Sequence, residues 1–285
     1  MSKKKPPASR TLPELLRVDT DFVLADVDPE STPGFDGGKK AGAKALAIHA
    51  PEIRDWQERL YAESKGGGTR SVLLVVQGMD TSGKGGIMRH VVGAADPEGV
   101  RTTAFKAPTA EEREHDFLWR VRKALPSPGT IGVLDRSHYE DVLIVRVHDL
   151  VPEAEWSERY ELINAFEREV VAADTTVVKV MLHISKDEQR ARLARRLERI
   201  DKHYKYNPGD VTERGFWDDY MQAYQAALTT CSTPQAPWYV VPANHKWYAR
   251  YAVQQLLLGA LVALDPAWPV MDFDVEVEKQ RLAAS

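Results

Sequence analysis

Residues 78–86 read GMDTSGKGG and stand directly after the apolar run 71–77, SVLLVVQ. A buried strand that feeds a Gly-rich turn and then a helix aims several backbone N–H groups at one point, an arrangement suited to a phosphate. Lys84 adds a mobile positive charge there. Gly78, four intervening residues, Gly83 and Lys84 match the P-loop spacing, with the required strand before and helix after both readable. Gly78, Thr81, Ser82, Gly83 and Gly85 are therefore expected to line a phosphate cradle with Lys84. Gly85 stands where a Ser or Thr would normally offer its hydroxyl to magnesium, so another group must hold the metal.

That group is expected to be a carboxylate. The apolar stretch 130–134 (TIGVL) ends in Asp135, Arg136, Ser137, His138 and Tyr139. An acidic residue closing a strand beside a P-loop strand orients magnesium directly or through water. Asp80, inside the loop, brings a second carboxylate in place of the missing hydroxyl, and Arg136 aims a guanidinium at the same region. Lys106 closes the stretch 100–105 at the carboxyl end, where open parallel sheets bind ligands, although a solvated lysine is the competing reading. His138 invites a role as general base or phosphohistidine. An acceptor phosphate oxygen is already anionic and needs no base, so a packing or hydrogen-bonding histidine is the expected use. The chemistry these groups suit is phosphoryl transfer, which needs in-line positioning, magnesium and positive charge on the equatorial oxygens rather than covalent help.

The elements that must position them follow from periodicity. Five strand-like stretches, 71–77, 100–105, 130–134, 176–184 and 237–241, alternate with helical ones. Such alternation indicates an α/β fold with a five-stranded parallel sheet covered on both faces, a three-layer sandwich of P-loop kinase type. Helices are expected at 51–63, 85–93, 109–125, 153–173, 211–228 and 244–264. Residues 186–205 carry Arg190, Arg192, Arg195, Arg196, Arg199, Lys202 and Lys205, a basic density found nowhere else in the chain. A basic helix is ordinarily a solvated face. Following a strand of a P-loop sheet, this one takes the place of the lid, at about 186–215, whose arginines close over the transferring phosphoryl in nucleotide kinases. The expected organisation is an irregular arm at 1–50, a kinase domain at 51–265 and a tail at 266–285, with the basic segment 1–10 disordered.

Composition sets the outer bounds. A net charge of −4 argues against a dedicated nucleic-acid binder, and Cys231 alone permits no intrachain disulfide. No apolar stretch reaches the roughly 18 residues of a membrane span, and 1–10 lacks the apolar core of a secretory signal. A soluble, cytoplasmic protein is expected, without membrane or nucleic-acid partners. Apolar helices flanking the core leave room for a homo-oligomer, which is also expected.

Five segments in order resemble the polyphosphate kinase 2 family: QGMDTSGKGG at 77–86, FKAPTAEEREHDFLWR at 105–120, DRSHYEDVL at 135–143, SKDEQRARLARR at 185–196 and APWYVV at 236–241. The resemblance extends from about residue 50 to residue 255. It implies reversible phosphoryl transfer between inorganic polyphosphate and an adenine nucleotide, with magnesium and a helical lid. Asp80 and Asp135 then look like the metal carboxylates, Lys84 and Arg136 the phosphate contacts, and Arg192 and Arg196 lid residues on the donor chain. Lys205, Asp210 and Arg214 match further family positions. SHYEDVL resembles members acting on adenosine mono- and diphosphates; guanine nucleotides are left open as acceptors. The donor, a linear polyanion, calls for a basic channel, which the lid arginines with Lys246 and Arg250 could line. The acceptor would enter from the other side, near Lys106 and Arg120.

Two other readings compete. An ATP-dependent nucleoside monophosphate kinase would use the same core, with Gly85 counting against it. A P-loop switch or ATPase acting through partners would hydrolyse without an acceptor, and the chain carries no asparagine-lysine-x-aspartate guanine signature.

Overall fold

All seven residues of the run Ser71–Gln77 are buried, as happens when a strand is covered on both faces of a sheet. The computed structural model describes residues 10–270 and 272–285, so the expectation of a disordered arm at 1–10 lies, except for Arg10, outside the described residues. In chain order come α1 (Leu12–Leu16), α2 (Lys39–Lys65), β1 (Ser71–Gln77), α3 (Lys84–His90), β2 (Val100–Ala104), α4 (Trp119–Arg122), β3 (Ile131–Asp135) and α5 (Ile144–Val147). They are followed by α6 (Glu153–Ala172), β4 (Thr175–His183), α7 (Lys186–Leu197), α8 (Gly209–Glu213), α9 (Trp217–Thr230), β5 (Trp238–Pro242), α10 (Lys246–Leu264) and α11 (Val275–Ala283). The strands form one parallel sheet in the order β2-β3-β1-β4-β5, with β1 at its centre. Val76 pairs with Asp135 across β1 and β3, so the loop after β1 and the acidic end of β3 leave the sheet side by side. The expected α/β sandwich with five parallel strands is the fold that forms.

Three helical expectations need correction, and the unassigned tail gains a helix. The helix expected to start at Pro51 begins at Lys39 and holds Pro51 in its interior. Residues 39–50 are rich in Ala and Lys, strong helix formers, and α2 packs along α10 with Ile53, Gln57 and Leu60 buried, which offsets the proline. Gly42 lets the two helices approach: a Cβ there would meet the Trp247 ring at 2.2 Å.

The helix expected over 109–125 does not form as one piece. Thr109 and Glu112 bond each other's backbone N–H at 2.9 and 3.2 Å, completing a single turn, and the Asp116 carboxylate then takes the N–H of Leu118 at 2.9 Å. His115 between them is extended, so only the short α4 follows. The helix expected at 211–228 is split at Arg214–Phe216 by a 3₁₀ turn, and the tail carries the short α11.

Candidate active site at the P-loop

The loop between β1 and α3 is held in a conformation that its sequence dictates. Gly78 lies at φ 145°, where a Cβ would meet the Leu182 carbonyl oxygen of β4 at 2.7 Å, and Gly83 lies at φ 121°. Thr81 is left-handed at φ 66°, a conformation a β-branched residue adopts only under constraint. Lys84 folds its ammonium back over the loop, donating to the Gly78 carbonyl at 2.7 Å. Burial, then the Arg136 charge, lowers its pKa, against the opposing pull of Asp80, Asp135 and Glu140. The Thr81 and Ser82 hydroxyls are buried without a hydrogen-bond partner.

This loop forms one wall of a cleft of about 430 Å³. Asp80, Thr81, Ser82, Gly83, Lys84 and Gly85 line it, as does Asp135 from the end of β3. Arg196, Lys205, Lys246 and Arg250, expected from the sequence, reach the same cleft. Three further groups there are not among the expected site residues: Arg89 and His90 in the last turn of α3, and Lys202 beyond α7. Lys202 belongs to the basic tract. Arg89 and His90 follow Lys84 by five and six residues on one short helix, and only its end against α10 brings them to the cleft.

Arg136 sits beside the cleft at φ 62° and bonds the Asp80 carboxylate at 2.5 Å, with Glu140 at 3.5 Å. Burial works against its charge, yet Glu140 and Asp80 together hold its pKa above the ordinary arginine value. Arg196 donates to the Lys205 carbonyl at 2.8 Å and to Asp210 at 3.2 Å, tying α7 to the segment after it. Burial, then the nearby Asp80 charge, raises the pKa of Asp210. Loss of water around its ammonium, then the guanidiniums of Arg192 and Arg195, lowers Lys246 to about 8.

Three expected residues lie outside this cleft. Lys106 and Arg120 line a separate hollow of about 400 Å³ at β2, with Phe105 and Trp119. Arg120 is mostly spent within the protein: it donates to the Lys106 carbonyl at 2.8 Å and pairs with Glu112 at 3.5 Å. Arg192, expected on the donor chain, points instead behind the P-loop, is 4% exposed and does not line the cleft. His138 is also withdrawn from the chemistry. It is 1% exposed and bonds Glu167 at 3.2 Å, and Glu167 in turn bonds Tyr139 and Lys179.

Asp80 and Asp135 could hold a metal ion. Among the described residues no group of three or more His, Cys, Asp or Glu side chains is placed to hold one. A protein donor set limited to two hard oxygens fits a cation that takes water and phosphate for its remaining ligands. The arrangement therefore offers N–H groups and Lys84 for a terminal phosphoryl, carboxylates for a cation, and a run of basic side chains along one side.

Comparison with known proteins agrees with this geometry. The model of the family described as Polyphosphate kinase 2 matches residues 37–267. An AMP/ADP-polyphosphate phosphotransferase of Meiothermus ruber is 45% identical over 251 residues, covering 88% of this chain and 92% of its own. An ADP-polyphosphate phosphotransferase of Rhodopseudomonas palustris is 40% identical over 265 residues, 89% of each chain. The crystal structure of Polyphosphate Kinase 2 from Arthrobacter aurescens superposes with a TM-score of 0.95 at 55% identity, covering 97% of this chain and 98% of that one. Sheet, loop and acidic strand end, together with this match across nearly the whole length, make the chain a member of the polyphosphate kinase 2 family.

Proposed function

We propose that this protein transfers the terminal phosphoryl group reversibly between inorganic polyphosphate and an adenine nucleotide, AMP or ADP, with Mg²⁺ held by Asp80 and Asp135. The observation that carries the reading is the cleft itself: a P-loop lysine and two carboxylates line it together with Arg89, Arg196, Lys202, Lys205, Lys246 and Arg250. Such a basic groove suits a linear polyanion, which needs charge and no base recognition.

In the direction of nucleotide synthesis, Lys84 and the loop amides hold the donor's terminal phosphoryl. A terminal phosphate oxygen of the nucleotide attacks its phosphorus in line, the anhydride bond to the next phosphate breaks, and the chain leaves one unit shorter as an anion. No proton need move, which agrees with the withdrawal of His138. Asp80 and Asp135 would hold the magnesium ion, which would supply positive charge against the negative charge that develops on the phosphoryl group. Arg136 and Arg196 add positive charge on the equatorial oxygens. The hollow at Lys106, Arg120 and Trp119 is the proposed approach of the acceptor. One anhydride replaces another, so direction follows concentrations.

Residues 51–265 act as the kinase domain, with 186–215 as its lid. No helix among the described residues is long and apolar enough to cross a membrane. A cytoplasmic location, a homo-oligomeric state and guanine nucleotides as further acceptors belong to the same proposal.

The test is product analysis after mixing the purified protein, Mg²⁺ and long-chain polyphosphate with AMP and, separately, with ADP. ADP and ATP formed from AMP support the broad acceptor class. ATP formed from ADP alone narrows it to diphosphates. No product from either, with ATP instead phosphorylating a monophosphate, would replace the proposal by an ATP-dependent monophosphate kinase.

A further inference from the structure

Three consecutive P-loop carbonyls are bound by two side chains from one face of the lid helix. Gln189 donates from Nε2 to the Asp80 carbonyl at 3.0 Å. One turn on, Arg192 donates from Nη1 to the carbonyls of Thr81 at 2.9 Å and Ser82 at 2.7 Å. Its Nη2 reaches Ala243 and Asn244, at 2.5 and 3.0 Å, in the turn between β5 and α10, and its Nε bonds Glu188 at 2.7 Å. A guanidinium has five N–H groups, and all five are occupied. Gln189 is fixed in turn by Arg214, which donates to its Oε1 at 2.8 Å and to the Lys186 carbonyl at 2.7 Å. Gln189 and Arg192 are 1% and 4% exposed, and neither lines the cleft.

From this geometry we infer that Gln189 and Arg192 are positioning residues that set the P-loop for phosphoryl transfer, and that Arg192 is not a contact to the donor chain. The inference rests on the polyphosphate kinase reading. Carbonyl oxygens facing a phosphate would repel it. Bound to side chains outside the cleft, the carbonyls of Asp80, Thr81 and Ser82 are withdrawn, which leaves the loop to offer N–H groups. The left-handed Thr81 lies in the middle of these three carbonyls, and the bonds on either side supply the constraint its backbone requires. Asp80 and Lys84 leave the same loop, so its setting also places the metal carboxylate and the phosphate-binding ammonium. The lid helix is thereby joined at its base to the loop that it covers, while Arg196, one turn further, reaches the cleft.

The test compares Arg192→Lys, Gln189→Met and, as the donor-contact control, Arg196→Ala with the parent. kcat and KM for polyphosphate are measured at saturating ADP, together with the salt dependence of kcat/KM. A misplaced loop costs turnover, so Arg192→Lys should lower kcat roughly tenfold to a hundredfold. KM for polyphosphate should stay within about twofold of the parent value. The salt dependence should be unchanged, because no charge facing the donor has been removed. Lysine cannot reproduce the fork of bonds, so the conservative substitution should not rescue. Arg196→Ala should instead raise KM and flatten the salt dependence. A raised KM in Arg192→Lys with kcat retained would overturn the inference. Should Arg192→Lys fail to fold, Gln189→Met, which keeps every charge, decides: lowered kcat at unchanged KM supports the positioning role, and parent-like turnover in the folded variant refutes it. The parent's own turnover with polyphosphate tests the underlying function separately.

Discussion

Asp80 and Arg136 are joined by an ion pair of 2.5 Å at the edge of the cleft. The pair links the loop after β1 to the end of β3, and each backbone is unusual there: Thr81, next to Asp80, and Arg136 are both left-handed. Groups held in this way act as a unit, and a unit gives non-additive losses. Asp80→Asn and Arg136→Met should each lower kcat by about a hundredfold, the scale for one preorganised charge in a phosphoryl or acyl transfer site. The double variant should lose much less than the product of the two. A multiplicative loss in the double variant would show the two residues to work independently.

The proposed metal and phosphate assignments give a second expectation. With Asp135 on the metal and Lys84 on the phosphoryl, as proposed, Asp135→Asn and Lys84→Ala each remove a charge used mainly in the transition state, so turnover should fall on the order of a hundredfold or more with the fold intact. Steady-state kinetics beside a thermal melt checks both halves. Near-parent turnover in a folded Asp135→Asn protein would remove Asp135 from the metal site.

Much of the candidate site's layout is legible in the sequence because it is local. The loop 78–86 and the 135–136 pair are each contiguous, and strand spacing alone brings two such segments together at the carboxyl edge of a parallel sheet. Direction was not legible. Arg192 and Arg196 are four residues apart on α7, yet the first points behind the loop and the second into the cleft. The basic density of 186–205 does not distinguish them; that requires knowing which carbonyls lie behind the loop. The same limit applies to 109–125, where an acidic first turn and an apolar stripe suggest a helix. The Asp116 carboxylate competes for the backbone, a contest that periodicity does not register. Pro51 reads as a helix start for a similar reason: its cost is visible in sequence, and the α2–α10 packing that offsets it is not.

Lys246 gives a pH dependence. Loss of water around its ammonium, then the charges of Arg192 and Arg195, lowers it to about 8. Below that value the side chain is cationic and can bind a polyanion; above it the charge is lost. With Lys246 in the donor groove, kcat/KM for polyphosphate should fall as pH rises through about 8, while KM for the nucleotide stays level. Lys246→Arg keeps its charge and should move the fall to higher pH. The profile of kcat/KM against pH for both proteins is the measurement, and coincident profiles would exclude Lys246 as the titrating group.

The buried pair of Lys179 on β4 and Glu167 on α6 supports the site from below. Lys179 is 0% exposed, and its ammonium also bonds Tyr139 at 2.9 Å and the Cys231 carbonyl at 2.6 Å. Burial works against the Glu167 charge, but Lys179 and His138 outweigh it and hold its pKa below the usual carboxylate value. Glu167 bonds both His138 and Tyr139, and the Tyr139 N–H bonds the Ser137 hydroxyl, so the network fixes the turn that leaves Arg136. Glu167→Gln leaves a buried ammonium without its counter-charge and should cost about 3–5 kcal/mol of stability, read by denaturant unfolding. Replacing the pair together, Glu167→Leu with Lys179→Met, removes both charges and should recover much of that loss. Turnover should not recover with it, because no side chain then holds His138 and Tyr139 in place beside Arg136. Recovery of stability and turnover together would reduce the pair to a packing element with no part in placing the guanidinium.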